Sequence, residues 1–291
     1  LAPHPGLTLR LSTRRTGNAV PPWARGMDLA PVDVVDDRAL MHALEGVHTV
    51  VHLAALNAQE CIADPDHAER VNVGGTQQLL EIAARQGARR IVYLSTAHVY
   101  AAPLQGVITE ESPTVNQHPY AATHRRAEDA VLSGLVPAMV VRLSNGFGPP
   151  RDPGANCWML LINDLCRQAV TERRLVLRSS GRDRRDFISL SNAVEAISHL
   201  LDLPAAVWNG QIFNVGSGKG LSVLEMTRLI AKRSEILFDF SPEIEIGEGG
   251  SDGPDITYSS QRIAATGFVP DDDAEAEIDA TLSFCMKHFG V

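Results

Sequence analysis

Aromatic side chains are scarce in this chain of 291 residues: Phe, Trp and Tyr together make 5%. Its interior must therefore be aliphatic, built from Leu, Val, Ile and Ala. Basic residues are outnumbered, 26 Lys and Arg against 35 Asp and Glu, and the formal net charge is -9. With no cationic excess to neutralise a phosphate backbone, nucleic acid is not an expected partner. A small phosphorylated ligand stays open, because a few arginines and a helix N-terminus suffice for it. Cysteine is limited to Cys61, Cys157, Cys166 and Cys285, none of them in a C-x-x-C pair, which excludes zinc ribbons and dithiol redox motifs. They read as small core residues in a reducing compartment, and no metal site is expected. No apolar run approaches the roughly 20 residues that span a bilayer, and no secretory leader is visible. The expectation is a soluble, cytoplasmic protein without a membrane partner. Internal repeats and low-complexity tracts are also missing.

What is present is an alternation of two periodicities. Leu7 to Leu11 is apolar at every second position, and Met27 to Val34 is a second strand candidate interrupted by Pro31. Leu40, Met41 and Leu44 mark one face of a short helix from Arg38 to Leu44. Thr49 to Ala55 and Arg90 to Thr96 are nearly continuous apolar runs, as in strands buried on both faces. Between them Glu69 to Arg85 is amphipathic, closed by Gly87. Tyr120 to Leu135 reads as a helix and Ala138 to Leu143 as a strand. Such β-α-β alternation predicts an α/β fold: a doubly wound, Rossmann-type parallel sheet that binds ligands at the carboxyl ends of its strands.

Beyond Gly146 the pattern loosens. Gly146 to Ala155 is rich in Gly, Pro, Arg and Asp and reads as a loop. Helices are expected at Trp158 to Thr171, at Asn192 to Leu203 with a cap near Ser191 or Asn192, at Ser222 to Lys232 and at Glu275 to His288. Asp186 to Leu190 and Ile212 to Val215 read as strands, and Gly247 to Gly253 as a glycine-rich loop. The expected division is a dinucleotide-binding domain over 1–146 and a smaller, interwoven C-terminal substrate-binding lobe over 147–291.

The stretch with most chemistry is Leu94 to Ala101, followed by Tyr120 to His124. It puts Ser95 and Thr96 at the carboxyl end of a buried strand. Tyr120 and His124, four apart, share one helix face. A phenol beside a hydroxyl can move a proton on and off a substrate alcohol. The plainer account is a Ser and Thr bonded to their own backbone and a surface Tyr. Spacing alone does not separate the two.

Several stretches in order resemble the extended short-chain dehydrogenase/reductase family, which contains the nucleotide-sugar epimerases and dehydratases. Asp33 and Val34 resemble its acidic adenine contact. Gly46 to Ala55, ending Leu53-Ala54-Ala55, is similar to its fourth strand and the turn under the cofactor. Val71 to Thr76 resembles its Asn-bearing helix and carries Asn72. Leu94 to Ala101 places Thr96 at the catalytic hydroxyl, and Tyr120 matches the catalytic tyrosine. Arg142 to Pro149, with Asn145, resembles the segment after the sixth strand. Arg185 to Ile188 resembles the segment whose arginine reaches a substrate pyrophosphate, and Phe213 to Gly218 the late strand and turn. The resemblance implies Thr96, Tyr120 and His124 as catalytic residues. It implies Arg14, Asp33, Val34, Leu53, Ala54, Ala55, Asn72, Tyr120 and His124 as cofactor contacts, and Ser95, His98, Asn145 and Arg185 as substrate contacts. A homodimer through helices such as Glu69 to Arg85 and Tyr120 to Leu135 is also implied.

Several departures from the family matter. The glycine-rich turn that lays a pyrophosphate on a helix N-terminus is absent. Leu1 to Gly6 reads as the tail of a helix, so about one strand and one helix are expected to precede it. The family lysine after Tyr120 is His124. With a reference pKa near 6.5 its ring would be partly charged at pH 7, would hydrogen-bond the ribose, and would lose activity at high pH. After Thr96 stand Ala97 and His98 in place of the acidic pair of the 4,6-dehydratases, so dehydration is not expected. The second strand ends Ser12-Thr-Arg-Arg15 without a carboxylate, so the cofactor is NAD or NADP with a slight preference for NADP from Arg14 and Arg15. The arginine the family carries before Tyr258 is also missing.

The leading expectation is an NAD(P)-dependent sugar-nucleotide epimerase working by transient oxidation at the sugar C4 hydroxyl, with a nucleotide sugar as substrate. An NADPH-dependent keto-sugar-nucleotide reductase and a non-catalytic dinucleotide-binding protein are the alternatives.

Overall fold

The computed structural model describes residues 7–14, 20, 22–208, 210–250, 253–271 and 274–290. Leu1 to Gly6 and Arg15 lie outside them. Along the described residues the chain runs β1 (Arg10–Thr13), β2 (Asp28–Pro31), α1 (Asp37–Ala43), β3 (Thr49–His52), α2 (Ala58–Ala63), α3 (Pro65–Ala68), a π-helical segment (Glu69–Gly74) and α4 (Gly75–Arg85). It continues with β4 (Arg90–Thr96), β5 (Gly106–Ile108), α5 (Pro119–Leu132), β6 (Ala138–Leu143), β7 (Asn145–Phe147), α6 (Leu161–Glu172), β8 (Arg174–Leu177), β9 (Arg184–Ser189) and α7 (Leu190–Asp202). The last elements are β10 (Gln211–Val215), β11 (Gly220–Ser222), α8 (Val223–Phe238), β12 (Glu243–Ile246), β13 (Ile256–Tyr258), α9 (Gln261–Ala264) and α10 (Ala274–Phe289).

The chain forms two compact units, Leu1–Ala102 with Ser112–Leu143 and Ile197–Phe213, and Pro103–Glu111 with Ser144–Ala196 and Asn214–Val291. In the first, β3, β4 and β6 are parallel, with Val51 opposite Val92 and Val92 opposite Met139. The four-stranded order is β10-β6-β4-β3, and β1 and β2 make a separate parallel pair. The middle of β4 is apolar because helices cover the sheet: Ile91, Val92 and Tyr93 are all buried. Leu79, Leu80, Ile82 and Ala83 of α4 pack with Ala127 and Val131 of α5 in this core.

Local chemistry places the ends of these helices. Asp36 caps α1 by accepting from the amides of Arg38 and Ala39, and Asn57 with Glu60 makes a capping box on α2. Gly87 ends α4 at φ 77° as expected, with its amide on the Ala84 carbonyl and the Ala88 amide on that of Ala83. Two strand expectations shift. Strand β3 stops at His52, the last residue with a partner on β4, and Leu53, Ala54 and Ala55 form an exposed loop. The first strand lies at Arg10–Thr13, paired with β2, not at Leu7 to Leu11.

In the second unit β9 runs parallel to β7 and antiparallel to β11. Parallel pairs β8–β12 and β5–β13 complete it. Helices α6, α8 and α10 share a core that includes Leu165, Ile230 and Leu282. Gly146 and Phe147, expected in a loop, are in β7 because Ile188 and Ser189 pair with them. Helix α7 is capped by Ser189, whose hydroxyl accepts from the Asn192 amide at 3.0 Å. Ser191 and Asn192 are not its caps. Ser191 donates to Glu277 and Asn192 bonds Asp271.

Candidate active site

Strand β4 and helix α5 build a polar group inside the first unit. Pro119 occupies the first turn of α5, where no amide hydrogen is needed, and His118 Nδ1 accepts from the Tyr120 amide at 3.2 Å. This start of the helix sets Tyr120 beside the carboxyl end of β4. Thr96 Oγ1 accepts from the His98 amide at 3.2 Å and its hydroxyl hydrogen-bonds the Tyr120 phenol. Burial raises the phenol's pKa above its ordinary value, and the Thr96 hydrogen bond pulls it back only in part. One turn along α5, the His124 ring meets the Tyr120 ring edge-on, with centroids 4.5 Å apart.

His124 is 3% exposed. Burial, with the neighbouring His52 and His98, pushes its pKa down to about 4. The ring is therefore neutral at pH 7, and the expected partial charge is corrected: removal from water outweighs any attraction to a phenolate. Its Nδ1 lies 2.9 Å from the Tyr93 phenol, whereas its Nε2 is buried without a hydrogen-bond partner among the described residues. A buried polar nitrogen left alone needs an account.

A second layer holds this group in place. His52 Nε2 lies 3.0 Å from Thr76 Oγ1, and Thr76 donates to the Asn72 carbonyl at 2.6 Å. Asn72 Oδ1 accepts from the Leu56 amide at 2.8 Å, and its Nδ2 donates to Thr123 Oγ1 at 3.1 Å. Asn72 thus ties the loop after β3 to α5. It sits in the π-helical segment, the widened turn that lets its amide reach both ways. On the other side of β4, Ser95 donates to Glu128 at 2.5 Å and Arg142 forks onto the same carboxylate.

The structure brings Thr96, Tyr120 and His124 together. It places Ser95 and Asn72 close by, their polar groups turned to Glu128 and to Leu56 and Thr123. His98 is exposed in a single 3-10 turn, and its carbonyl accepts from Asn116 at 2.8 Å. Leu53, Ala54 and Ala55 are exposed. Asp33 is exposed and accepts from the Val35 amide, and Val34 packs where a Cβ on Gly75 would stand 2.8 Å from its Cγ2. Arg14 is exposed after β1. Asn145 and Arg185 belong to the second unit: Asn145 donates to the Asp186 carbonyl at 2.8 Å and Arg185 is exposed on β9. Sequence reasoning missed Tyr93, His52, Thr76, Thr123 and Glu128. A signal existed for the first two, a polar ring next to consecutive aliphatic residues of a strand. Among the described residues no group of three or more His, Cys, Asp or Glu is arranged to hold a metal ion.

Residues 6–216 match the model of the NAD dependent epimerase/dehydratase family. A dTDP-glucose 4,6-dehydratase of Streptomyces niveus is 31% identical over 216 residues, 72% of this chain and 60% of that protein. A UDP-glucose 4-epimerase of Streptomyces lividans is 32% identical over 204 residues, 63% of this chain and 59% of that protein. The chain thus spans about three fifths of the length of these curated relatives. The UDP-glucose 4-epimerase of Thermus thermophilus, solved in complex with NAD, superposes with a TM-score of 0.79 at 21% identity, over 98% of this chain and 93% of that one. With the ordered motifs around Asn72, Thr96 and Tyr120 and the parallel sheet that carries them, the family match leads to one conclusion: the chain belongs to the NAD-dependent epimerase/dehydratase family, within the extended short-chain dehydrogenases/reductases.

Proposed function

We propose that the protein is an NAD(P)-dependent nucleotide-sugar epimerase acting by transient oxidation at the sugar C4 hydroxyl. The observation that carries this reading is the Thr96–Tyr120–His124 group, a phenol held by a hydroxyl beside a buried nitrogen that has no partner among the described residues. Tyr120 takes the proton of the sugar hydroxyl and later returns it, while the Thr96 hydroxyl stabilises the phenolate. His124 Nε2 and the exposed loop Leu53 to Ala55 fit the nicotinamide-ribose end of a dinucleotide. When bound, the nicotinamide ring accepts and gives back a hydride. Ala97 and His98 offer no pair of carboxyl groups after Thr96, which favours epimerisation over elimination of water.

Exposed Arg14 after β1 favours NADP at the adenosine ribose, while the family's description favours NAD. Asn145 and Arg185 supply polar contacts for the nucleotide sugar. A homodimer would form across the π-helical segment, α4 and α5, whose outer face carries an open groove lined by Asp66, Arg70, Gln77 and Arg126. No helix among the described residues is long and apolar enough to cross a membrane.

Two measurements test the reading. Mass spectrometry of the denatured protein identifies any retained dinucleotide. Incubation with UDP- and dTDP-hexoses then follows C4 inversion and absorbance at 340 nm. Epimerisation without net absorbance change, abolished by Tyr120→Phe, is the expected result. Stoichiometric NADPH consumption would replace the epimerase with a keto-sugar reductase. Turnover by Tyr120→Phe at the unaltered rate would overturn the assignment.

A further inference from the structure

The tautomers of the two buried imidazoles follow from counting hydrogens. Thr76 has one hydroxyl hydrogen and gives it to the Asn72 carbonyl. Its oxygen can then only accept from His52, so His52 carries its hydrogen on Nε2. The same count applies to Tyr93 and His124, 2.9 Å apart. If the phenol donates to Nδ1, a single Nε2–H is left over. If Nδ1–H donates to the phenol oxygen, both the phenol hydrogen and the Nε2 lone pair are left without partners, a costlier outcome in a buried site. The Tyr93 phenol also keeps its proton: burial, with Glu128 and Tyr120 nearby, pushes its pKa well above the ordinary value.

We propose that Tyr93 is a positioning residue: its phenol fixes His124 as the Nε2–H tautomer, and that N–H is a neutral donor to a hydroxyl of a bound ligand. That the ligand is the nicotinamide-side ribose of a dinucleotide rests on the function proposed above. The geometry favours this on three counts. The donor is aimed by a strand and not by a mobile stem, because Tyr93 is fully buried in β4. The ring is braced by Tyr120, with centroids 4.5 Å apart. The groups that face it are His52 from β3, His98 after β4, Tyr93, and Tyr120 on its own helix, while the carboxylate of Glu128, four residues along that helix, is engaged by Arg142 and Ser95. A donor that carries no charge holds its ligand equally well across the neutral range.

Histidine-selective 15N labelling and two-bond 1H–15N spectra read the tautomer, with the His124 signals assigned by their loss in His124→Gln. The expected wild-type result is a protonated Nε2 and bare Nδ1, unchanged between about pH 6 and pH 8. In Tyr93→Phe the two tautomers mix, and dinucleotide affinity, measured by calorimetry with NAD and NADP, falls about five- to tenfold. In the His124→Gln background, where no tautomer exists, Tyr93→Phe changes affinity by less than about twofold. Hydrogen on Nδ1 in the wild type, or Tyr93→Phe with an unaltered tautomer and affinity, overturns the proposal. An equal affinity loss in both backgrounds overturns it too, since Tyr93 would then act through general packing. Failure of the wild type to bind either dinucleotide overturns the functional reading and the ligand half of the proposal, while the ring spectra still decide whether Tyr93 sets the tautomer.

Discussion

Arg142 and Glu128 meet fork to fork in the interior, Nε to Oε1 at 3.0 Å and Nη2 to Oε2 at 2.7 Å, with side chains 3% and 0% exposed. Burial opposes the Arg142 cation, and the Glu128 hydrogen bonds and charge more than offset it, holding its pKa above the ordinary value. The Tyr100 ring lies 4.8 Å from the guanidinium and Ser95 donates to the same carboxylate. Glu128→Gln leaves that cation buried without its counter-charge. Such a break costs about 3–5 kcal/mol, a large part of an ordinary folding free energy. Urea unfolding should show that loss. Replacing both partners by Met and Leu should recover most of it, since two matched apolar side chains carry no desolvation penalty.

This pair also shows where sequence reading stops. Strands β4 and β6 were legible to the residue, because seven and six mostly apolar residues in a row admit few other placements. That Thr96 ends a strand and that Tyr120 and His124 share one helix face was legible from spacing; a chemical role for them came only with the family resemblance. Glu128 was not: on α5 it looks like any helical glutamate, and only folding sets it under Ser95 and Arg142. Likewise His124 invites a charge on paper. Its neutrality comes from burial and from His52 and His98, which lie far away or out of phase in sequence. The short strands β5, β8, β11 and β12 have no periodicity long enough to read, and their pairing is settled by tertiary contacts.

His52 and His124 together make acid stability a test of this interior. Burial lowers both rings from 6.5 to about 4, so the folded protein takes up their protons later than the unfolded chain does. The stability tied to their neutral forms is present above pH 6.5 and is lost as pH falls from there towards 4. Each ring accounts for about 3 kcal/mol by the usual conversion. Unfolding free energies measured at intervals across this range should drop steeply. His52→Gln keeps a donor for Thr76 and removes one titrating ring, so its curve should fall about half as far.

Gly75 opens α4 against Val34, where an added Cβ would lie 2.8 Å from Cγ2 and 3.3 Å from the carbonyl oxygen. Two effects compete in Gly75→Ala. Helix propensity gains about 1 kcal/mol, and overpacking costs about 1–3 kcal/mol. The carbonyl cannot rotate away as a side chain can, so the clash should win and thermal unfolding should come earlier. A variant that melts higher than the wild type would mean that the loop bearing Val34 yields freely.

The last expectation joins the site's electrostatics to rate. Tyr120 has its pKa raised by burial, and the ring one turn away is neutral, so His124 lends no positive charge to the loss of the phenolic proton. Under the proposed reaction the active form is the phenolate, and kcat/KM should climb with pH through the alkaline range instead of falling as a histidine loses charge. His124→Lys puts an ammonium near the phenol. A cation within about 4–6 Å lowers a neighbouring acid's pKa by about 1–3 units, and the rising limb should move to lower pH by a comparable step. Because lysine donates its hydrogen bond without a tautomer, it should also make the rate indifferent to Tyr93→Phe. A pH–rate profile of the wild type that is flat from about pH 6 to 9, and that His124→Lys leaves flat, would remove Tyr120 from the role of base and leave Thr96 and the ligand's own hydroxyls to account for any turnover.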